Sequence, residues 1–279
     1  MKPNFIGIGG QRCATTWIFD CLKEHPEVCN IEKKEINFFT HYYNRGYEWY
    51  ERYFKGCSGY KAIGEFSTSY LYDYNAPKRI YNYNPDAKII VCLRNPIERA
   101  YSQHKHHIRL GFVTGINLSF DKAVKDNPMY IEQGLYYTHL KRWINYFQIG
   151  NNLLVLIYED MLKNPLTFIQ SVYDFLQIDP NFIPSNLNKE INKAIIPKNF
   201  KLHRLINKAS LTFRAIGMGY FIEFIKFVGI KRAMEYLNSE KRLNVYNMSD
   251  ETRKNLQELF YEENKKLSNL LDRDLSFWT

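Results

Sequence analysis

The stretch FIGIGGQRCATTW, residues 5–17, sets an apolar run against paired glycines, an arginine and two threonines. That order suits a strand feeding a loop of exposed amides and then a helix, whose first N–H groups and positive dipole end converge on an anion. Arg12 adds forked, charged donors there. Counted from Gly9, the nucleotide-binding pattern G-x-x-x-x-G-K-[ST] needs glycine at 14 and lysine at 15, where Ala14 and Thr15 stand. The missing pair counts against an ATP-dependent kinase. Taken alone, the loop also allows a plainer reading, with Thr15 as a helix cap and Arg12 in solvent. A second segment, IIVCLRNPIERAYSQHKH (89–106), again passes from an apolar run into a helical pattern, with Arg94 at the junction and Ser102 eight residues later. Two such junctions can face one crevice at the carboxyl ends of parallel strands, as a ligand with anionic groups in two places requires.

Other groups say less by themselves. Glu35 sits in the charged run IEKKEIN (31–37), and its spacing reads as a solvated charge. His104, His106 and His107 do not share one helix face, so a solvated helix is favoured over a metal cluster. No motif in the chain calls for a metal. The five cysteines (Cys13, Cys21, Cys29, Cys57, Cys92) include no CxxC pair, and Cys21 and Cys92 fall in apolar runs. The expectation is reduced, mostly buried thiols and a cytoplasmic location.

The elements that must position these residues follow from periodicity. Uniformly apolar runs at 5–9, 87–94 and 152–158, with 60–65 as a fourth, read as strands buried on both faces. Helical patterns lie between them: TTWIFDCLKEH before Pro26, a helix opening at Pro96, and segments 134–147 and 165–178. The fold class expected is α/β, a P-loop-like central parallel sheet flanked by helices, with a helical C-terminal portion over about 201–238 and 250–272. We expect one domain, 1–279. With 45% apolar and 24% charged residues the chain reads as globular, and its net charge of +9 favours anionic partners. The positive residues are scattered and no nucleic-acid signature occurs, so nucleic acid is not an expected partner. The opening residues lack a secretory pattern, and the most apolar stretch, 211–230, is broken by Arg214, Glu223 and Lys226, so a soluble chain is expected.

Together, GGQRCATTWIFDCLKEHPEV (9–28) and LRNPIERAYSQH (93–104) resemble the sulfotransferases that use 3′-phosphoadenosine 5′-phosphosulfate (PAPS) and release adenosine 3′,5′-bisphosphate (PAP). KKEINFFTHYYNRGYEWYERYF (33–54) is similar to the [KE]-E-x-x-F-F…G-x-x-W-Y segment of the glycosaminoglycan-type branch. GEFSTSYLYDYNAPKRIYNYNPDAKIIVCLRNP (64–96), the segments 134–147 and 153–165, and the ending RDLSFW extend the likeness.

The resemblance implies that Arg12, Cys13, Ala14, Thr15, Thr16 and Trp17 hold the donor's 5′-phosphosulfate, and that Arg94 and Ser102 hold its 3′-phosphate. Ala14 replaces the usual glycine of that loop, and Arg12 the usual lysine. Glu35 becomes the candidate general base, with His41 its rival by analogy with the phenol and steroid branch. Arg12 is the candidate for stabilising leaving-group charge. Glu65, Phe66 and His107 are expected to line the acceptor cleft, with Phe66 standing where a lysine is usual. Lys198, in NKAIIPKNFKLHRLI (192–206), takes the place of a lysine that closes over the donor, unless that segment is an ordinary basic loop. The expected reaction moves a sulfuryl group to a hydroxyl or amine of a carbohydrate or glycolipid, and a small-molecule or lipid-like alcohol is the alternative. A non-catalytic nucleotide-binding module is the reading outside enzymes. Segment 205–238 is open between an acceptor lid, a membrane-surface element and an ordinary helical pair. Oligomeric state is not indicated.

Overall fold

The run FIGIG forms strand β1, Phe5–Gly9, buried at every residue, as an apolar run without alternation requires of a strand covered on both faces. A computed structural model of the chain describes residues 1–29, 31–113, 118–187, 196–197, 239–240 and 247–278. After β1 come helix α1 (Thr15–Glu24), a short helix α2 (Tyr47–Glu51), strand β2 (Gly64–Phe66), α3 (Ala76–Tyr83) and strand β3 (Lys88–Leu93). Helix α4 (Pro96–Leu110) opens with proline in its first turn, where the missing N–H costs nothing. Then follow α5 (Phe120–Asp126), α6 (Met129–Glu132), α7 (Tyr136–Trp143), strand β4 (Leu153–Ile157), α8 (Tyr158–Lys163), α9 (Pro165–Leu176) and a C-terminal helix, Asp250–Leu271.

Four strands form one parallel sheet in the order β2-β1-β3-β4. The α/β architecture expected from the sequence is therefore the one observed. β1 has β2 on one side and β3 on the other, so the chain reverses its direction of sheet growth there. The loop leaving the carboxyl end of β1 opens at that switch point, where ligands of such sheets bind. The strand expected over 60–65 is shifted: pairing with β1 covers only Gly64–Phe66, and the N–H groups of Lys61 and Ala62 instead donate to the Glu27 carbonyl.

The chain divides into two compact units, one of residues 1–99, 133–191 and 257–279, the other of 100–132 and 192–256. The first contains the sheet. Its core includes Trp143 and Trp278, and its C-terminal residues are tied down by Arg273 to Asp160 at 2.6 Å and by the Trp278 carbonyl, which accepts from Asn95 Nδ2 at 3.1 Å. In the second unit His104 Nε2 meets the Leu118 carbonyl at 2.9 Å and His106 Nδ1 meets Arg109 at 2.9 Å, while His107 Nδ1 and His104 Nδ1 share Tyr130 Oη at 2.8 and 3.5 Å. Segment 201–238 lies outside the described residues. Among those described, no helix is long and apolar enough to cross a membrane.

Cys29 and Cys57 form a disulfide across a sequence separation of 28, with Cα atoms 5.4 Å apart. This corrects the expectation of five reduced thiols, because spacing in the chain does not reveal which cysteines the fold brings together. Cys13, Cys21 and Cys92 are buried and free, as expected. The thiol argument for a cytoplasmic location no longer stands on all five.

Candidate active site

The loop after β1 is held from below by the core. Gly10 N–H donates to the Cys92 carbonyl at 2.7 Å, and Gln11 N–H donates to Tyr72 Oη at 2.9 Å. Arg12 (φ 67°) and Ala14 (φ 59°) adopt the left-handed conformation that glycine adopts freely and alanine at a cost. Ala14 is the N-cap of α1 and supplies no side-chain cap, so the first N–H groups of the helix are left for an external acceptor. Thr15 is not the cap of the plainer reading. It is the first helical residue, buried, and its Oγ1 accepts from Lys34 Nζ at 3.3 Å. Cys13 is fully buried with Sγ 3.8 Å from Tyr136 Oη, and burial pushes its thiol up to about 11, so it is inert. Its side chain does not face a ligand. Trp17 likewise turns its ring into the core, 6.0 Å from that of Phe168, so only its main chain can serve a donor.

The second junction emerges from the strand next to β1. Arg94 directly follows β3, with its guanidinium 4.5 Å from the centre of the Tyr158 ring. Asn95 caps α4, its Oδ1 accepting from the N–H groups of Ile97 at 2.9 Å and Glu98 at 3.3 Å, while its own N–H donates to Glu159 Oε1 at 3.0 Å. Arg94 is thus followed by a fixed turn. It and Arg99 both place positive charge near Cys13, at the base of the first loop.

Glu35 stands at the carboxyl end of β2. Its N–H donates to the Phe66 carbonyl at 2.8 Å, and its Oε2 accepts from Thr68 N–H at 2.9 Å. Thr68 Oγ1 donates to the same carboxylate at 3.2 Å. Lys34 Nζ lies 2.7 Å from Glu35 Oε1 and so links the carboxylate to Thr15 at the start of α1. The Glu35 side chain is 36% exposed, so water reaches it. A basic loop with open amides and a fixed carboxylate joined by one lysine can bind an anion and accept a proton beside it.

A family model described as "Sulfotransferase domain" matches residues 2–215. The chain belongs to the sulfotransferase family. The human bifunctional heparan sulfate N-deacetylase/N-sulfotransferase 2 is 31% identical over 197 residues, 64% of this chain and 22% of that protein. The membrane-associated sulfotransferase kil1 of Dictyostelium discoideum is 37% identical over 110 residues, 38% of this chain and 23% of that protein. The chain thus spans less than a quarter of the length of these relatives. The crystal structure of a sulfotransferase from Alicyclobacillus acidocaldarius has the same fold, with a TM-score of 0.73 at 23% identity over 100% of this chain and 99% of that one.

The remaining expected residues of the sulfotransferase are not all at this place. Glu65 and Phe66 are fully buried and do not line an acceptor cleft, which corrects that expectation. Phe66 occupies the space a side chain at Gly7 would need, because β1 and β2 pair directly there. Glu65 accepts hydrogen bonds from Ser67, Tyr70 and Tyr50. Burial pushes its carboxyl up to about 7, against the opposite pull of the Ser67 and Tyr70 hydroxyls. His41 is exposed, its ring edge-on to Tyr42. Ser102, two turns into α4, and His107 belong to the second unit. Lys198 lies outside the described residues. Sequence reasoning missed Lys34 and Thr68. The only signal for either was the position of Lys34 beside Glu35, and that reads as one charge among several.

Proposed function

We propose that this sulfotransferase moves a sulfuryl group from PAPS to an amine or hydroxyl of a carbohydrate, with Glu35 as general base. The observation that carries the reading is the Lys34 bridge, 3.3 Å from Thr15 Oγ1 and 2.7 Å from Glu35 Oε1, which sets a proton acceptor beside the anion loop. In this reading the amides of residues 14–17 and Arg12 receive the 5′-phosphosulfate, and Arg94, on the neighbouring strand, receives the 3′-phosphate. The acceptor's nucleophile forms a bond to sulfur, its proton passes to Glu35, and the bond from sulfur to the bridging oxygen breaks with its electron pair staying on PAP. Positioning and stabilisation of that growing negative charge are what the protein contributes, by analogy with phosphoryl transfer. Lys34 and Arg12 supply the positive charge. Lys34 thereby takes over the part of the lysine that Phe66 replaces.

The carbohydrate acceptor is supported by the relatives named for heparan sulfate and by the net charge of +9, which suits an acidic polymer. Burial of Phe66 removes one support for a lipid-like alcohol, since that ring does not face a ligand. The test is transfer of labelled sulfate from PAPS to de-N-sulfated heparin, offering amines, and to N-acetylheparosan, offering hydroxyls. Glu35→Gln should lower kcat on the accepted polymer by about 10²–10⁴ while PAP binding persists. Full turnover in Glu35→Gln overturns the base assignment, and transfer to neither polymer overturns the acceptor class.

A further inference from the structure

Beneath Glu35 lies a second carboxylate that the proposed chemistry does not touch. Glu65 is 0% exposed, and its Oε2 accepts from Ser67 Oγ at 2.6 Å while its Oε1 accepts from Tyr70 Oη at 2.6 Å and Tyr50 Oη at 3.4 Å. A hydroxyl has one proton to donate, and Ser67 and Tyr70 commit theirs to Glu65, so their oxygens face the opposite direction as acceptors. Ser67 Oγ receives the Asn37 N–H at 2.9 Å. Tyr70 Oη receives the N–H groups of Phe38 at 2.9 Å and Phe39 at 3.4 Å. Three consecutive amides, two to four residues after Glu35, are thereby fastened to the turn that follows β2.

That stretch of backbone needs fastening. Glu35 (φ 60°) and Asn37 (φ 55°) are both left-handed without being glycine. Such residues persist where the surroundings over-determine them. Asn37 Nδ2 adds a bond to the Glu35 carbonyl at 3.0 Å, and Ser69 Oγ donates to Asn37 Oδ1 at 2.7 Å.

We propose that Glu65 is the positioning residue for Glu35: by orienting the Ser67 and Tyr70 hydroxyls as acceptors, it holds the 37–39 amides and so sets the carboxylate beside the donor loop. The inference rests on Glu35 being the base. An isosteric glutamine at 65 presents one oxygen and one NH₂, so one of the two hydroxyls must reverse and point its proton at a backbone N–H. A buried acid that only filled space would tolerate that exchange without a specific effect on turnover.

The experiment compares wild type, Glu65→Gln, Tyr70→Phe and Glu35→Gln. At pH 8, where Glu65 is ionised and accepts from both hydroxyls, it measures kcat and KM with PAPS and de-N-sulfated heparin, PAP affinity by calorimetry, and amide exchange at residues 37–39. Glu65→Gln is expected to lower kcat by about 10–100-fold through misplacement of Glu35, with KM and PAP affinity within about twofold of wild type. Exchange at 37–39 should quicken by about tenfold or more while the β3 amides keep their protection. Tyr70→Phe, which keeps the ring, should give the same signature and serves if Glu65→Gln does not fold. A kcat within about twofold of wild type beside a disabled Glu35→Gln overturns the relay alone. An unaffected Glu35→Gln overturns the base reading and the relay with it. Exchange is independent of the acceptor, so unchanged exchange at 37–39 in both variants overturns the relay even if the polymer is not a substrate.

Discussion

The donor loop and the base loop stand side by side at the ends of β1 and β2, yet they are held by different means. Residues 10–15 present main-chain amides, and their course comes mainly from contiguous sequence, a buried strand, a short turn and a helix start with no side-chain cap, steadied from below by the Cys92 carbonyl and Tyr72 Oη. Residues 35–39 present a side chain, and their geometry comes from groups some thirty positions away, Thr68, Ser67 and Tyr70, with Glu65 beneath them. Anion binding can be written into a local stretch of backbone. Proton transfer needs one carboxylate at one place, which only a tertiary network supplies.

The sharpest break of the comparison is a crossing of variants. Arg94→Ala should weaken PAP binding by about 10–100-fold, the worth of a charged hydrogen bond, and leave kcat at saturating donor nearly unchanged. Glu35→Gln should do the reverse, so parallel losses of affinity and turnover in both variants would dissolve the distinction between the two loops. Next in size is the disulfide, which closes a loop that contains residues 35–39 and not the donor loop. Cys57→Ser, or a reductant, should cost about 3–4 kcal/mol of stability by loop-closure entropy, measured as denaturant midpoints, with PAP affinity kept in the folded protein. No change in midpoint with reductant would remove the disulfide from the account.

A pH series separates the loops further. Glu65 is buried among Tyr50, Tyr70 and Ser67, with the charge of Glu35 nearby, and its carboxyl lies at about 7 against an ordinary 4.5. The folded protein keeps this proton over a range where the unfolded chain has lost it. The group's contribution to stability is therefore greatest at or below pH 4.5 and falls as pH rises to about 7, by on the order of 3 kcal/mol. The melting temperature of wild type relative to Glu65→Gln should decline across that window and level off above it, and a flat difference would refute the assignment. Smallest is Ala14→Gly in the donor loop. Relief of the left-handed alanine should exceed the added chain entropy and stabilise the protein by up to about 1 kcal/mol, with turnover unchanged.

Much of this was legible in the chain. The strand runs at 5–9, 87–94 and 152–158 are observed, because uninterrupted apolar residues have few other places to go than a doubly covered sheet. Arg94 falls at the junction expected of it. Glu65 and Phe66 were misread because position after an apolar run does not say which way a side chain faces, and β1–β2 pairing turns both inward. Lys34 was indistinguishable from Lys33 within a charged run, although the fold leaves Lys33 exposed and half-buries its neighbour between Thr15 and Glu35.

The amino-acid sequence by itself determined the order of strands and helices, the strand-to-helix junctions after β1 and β3, and membership of the sulfotransferase family. These depend on contacts between near neighbours and on contiguous motifs. Tertiary structure decided the Cys29–Cys57 bond, the inward turn of Glu65 and Phe66, and the union of Lys34, Thr15, Thr68 and Glu35. Each of these joins side chains from separate segments, and their meeting depends on the pairing of whole strands, which no local pattern encodes.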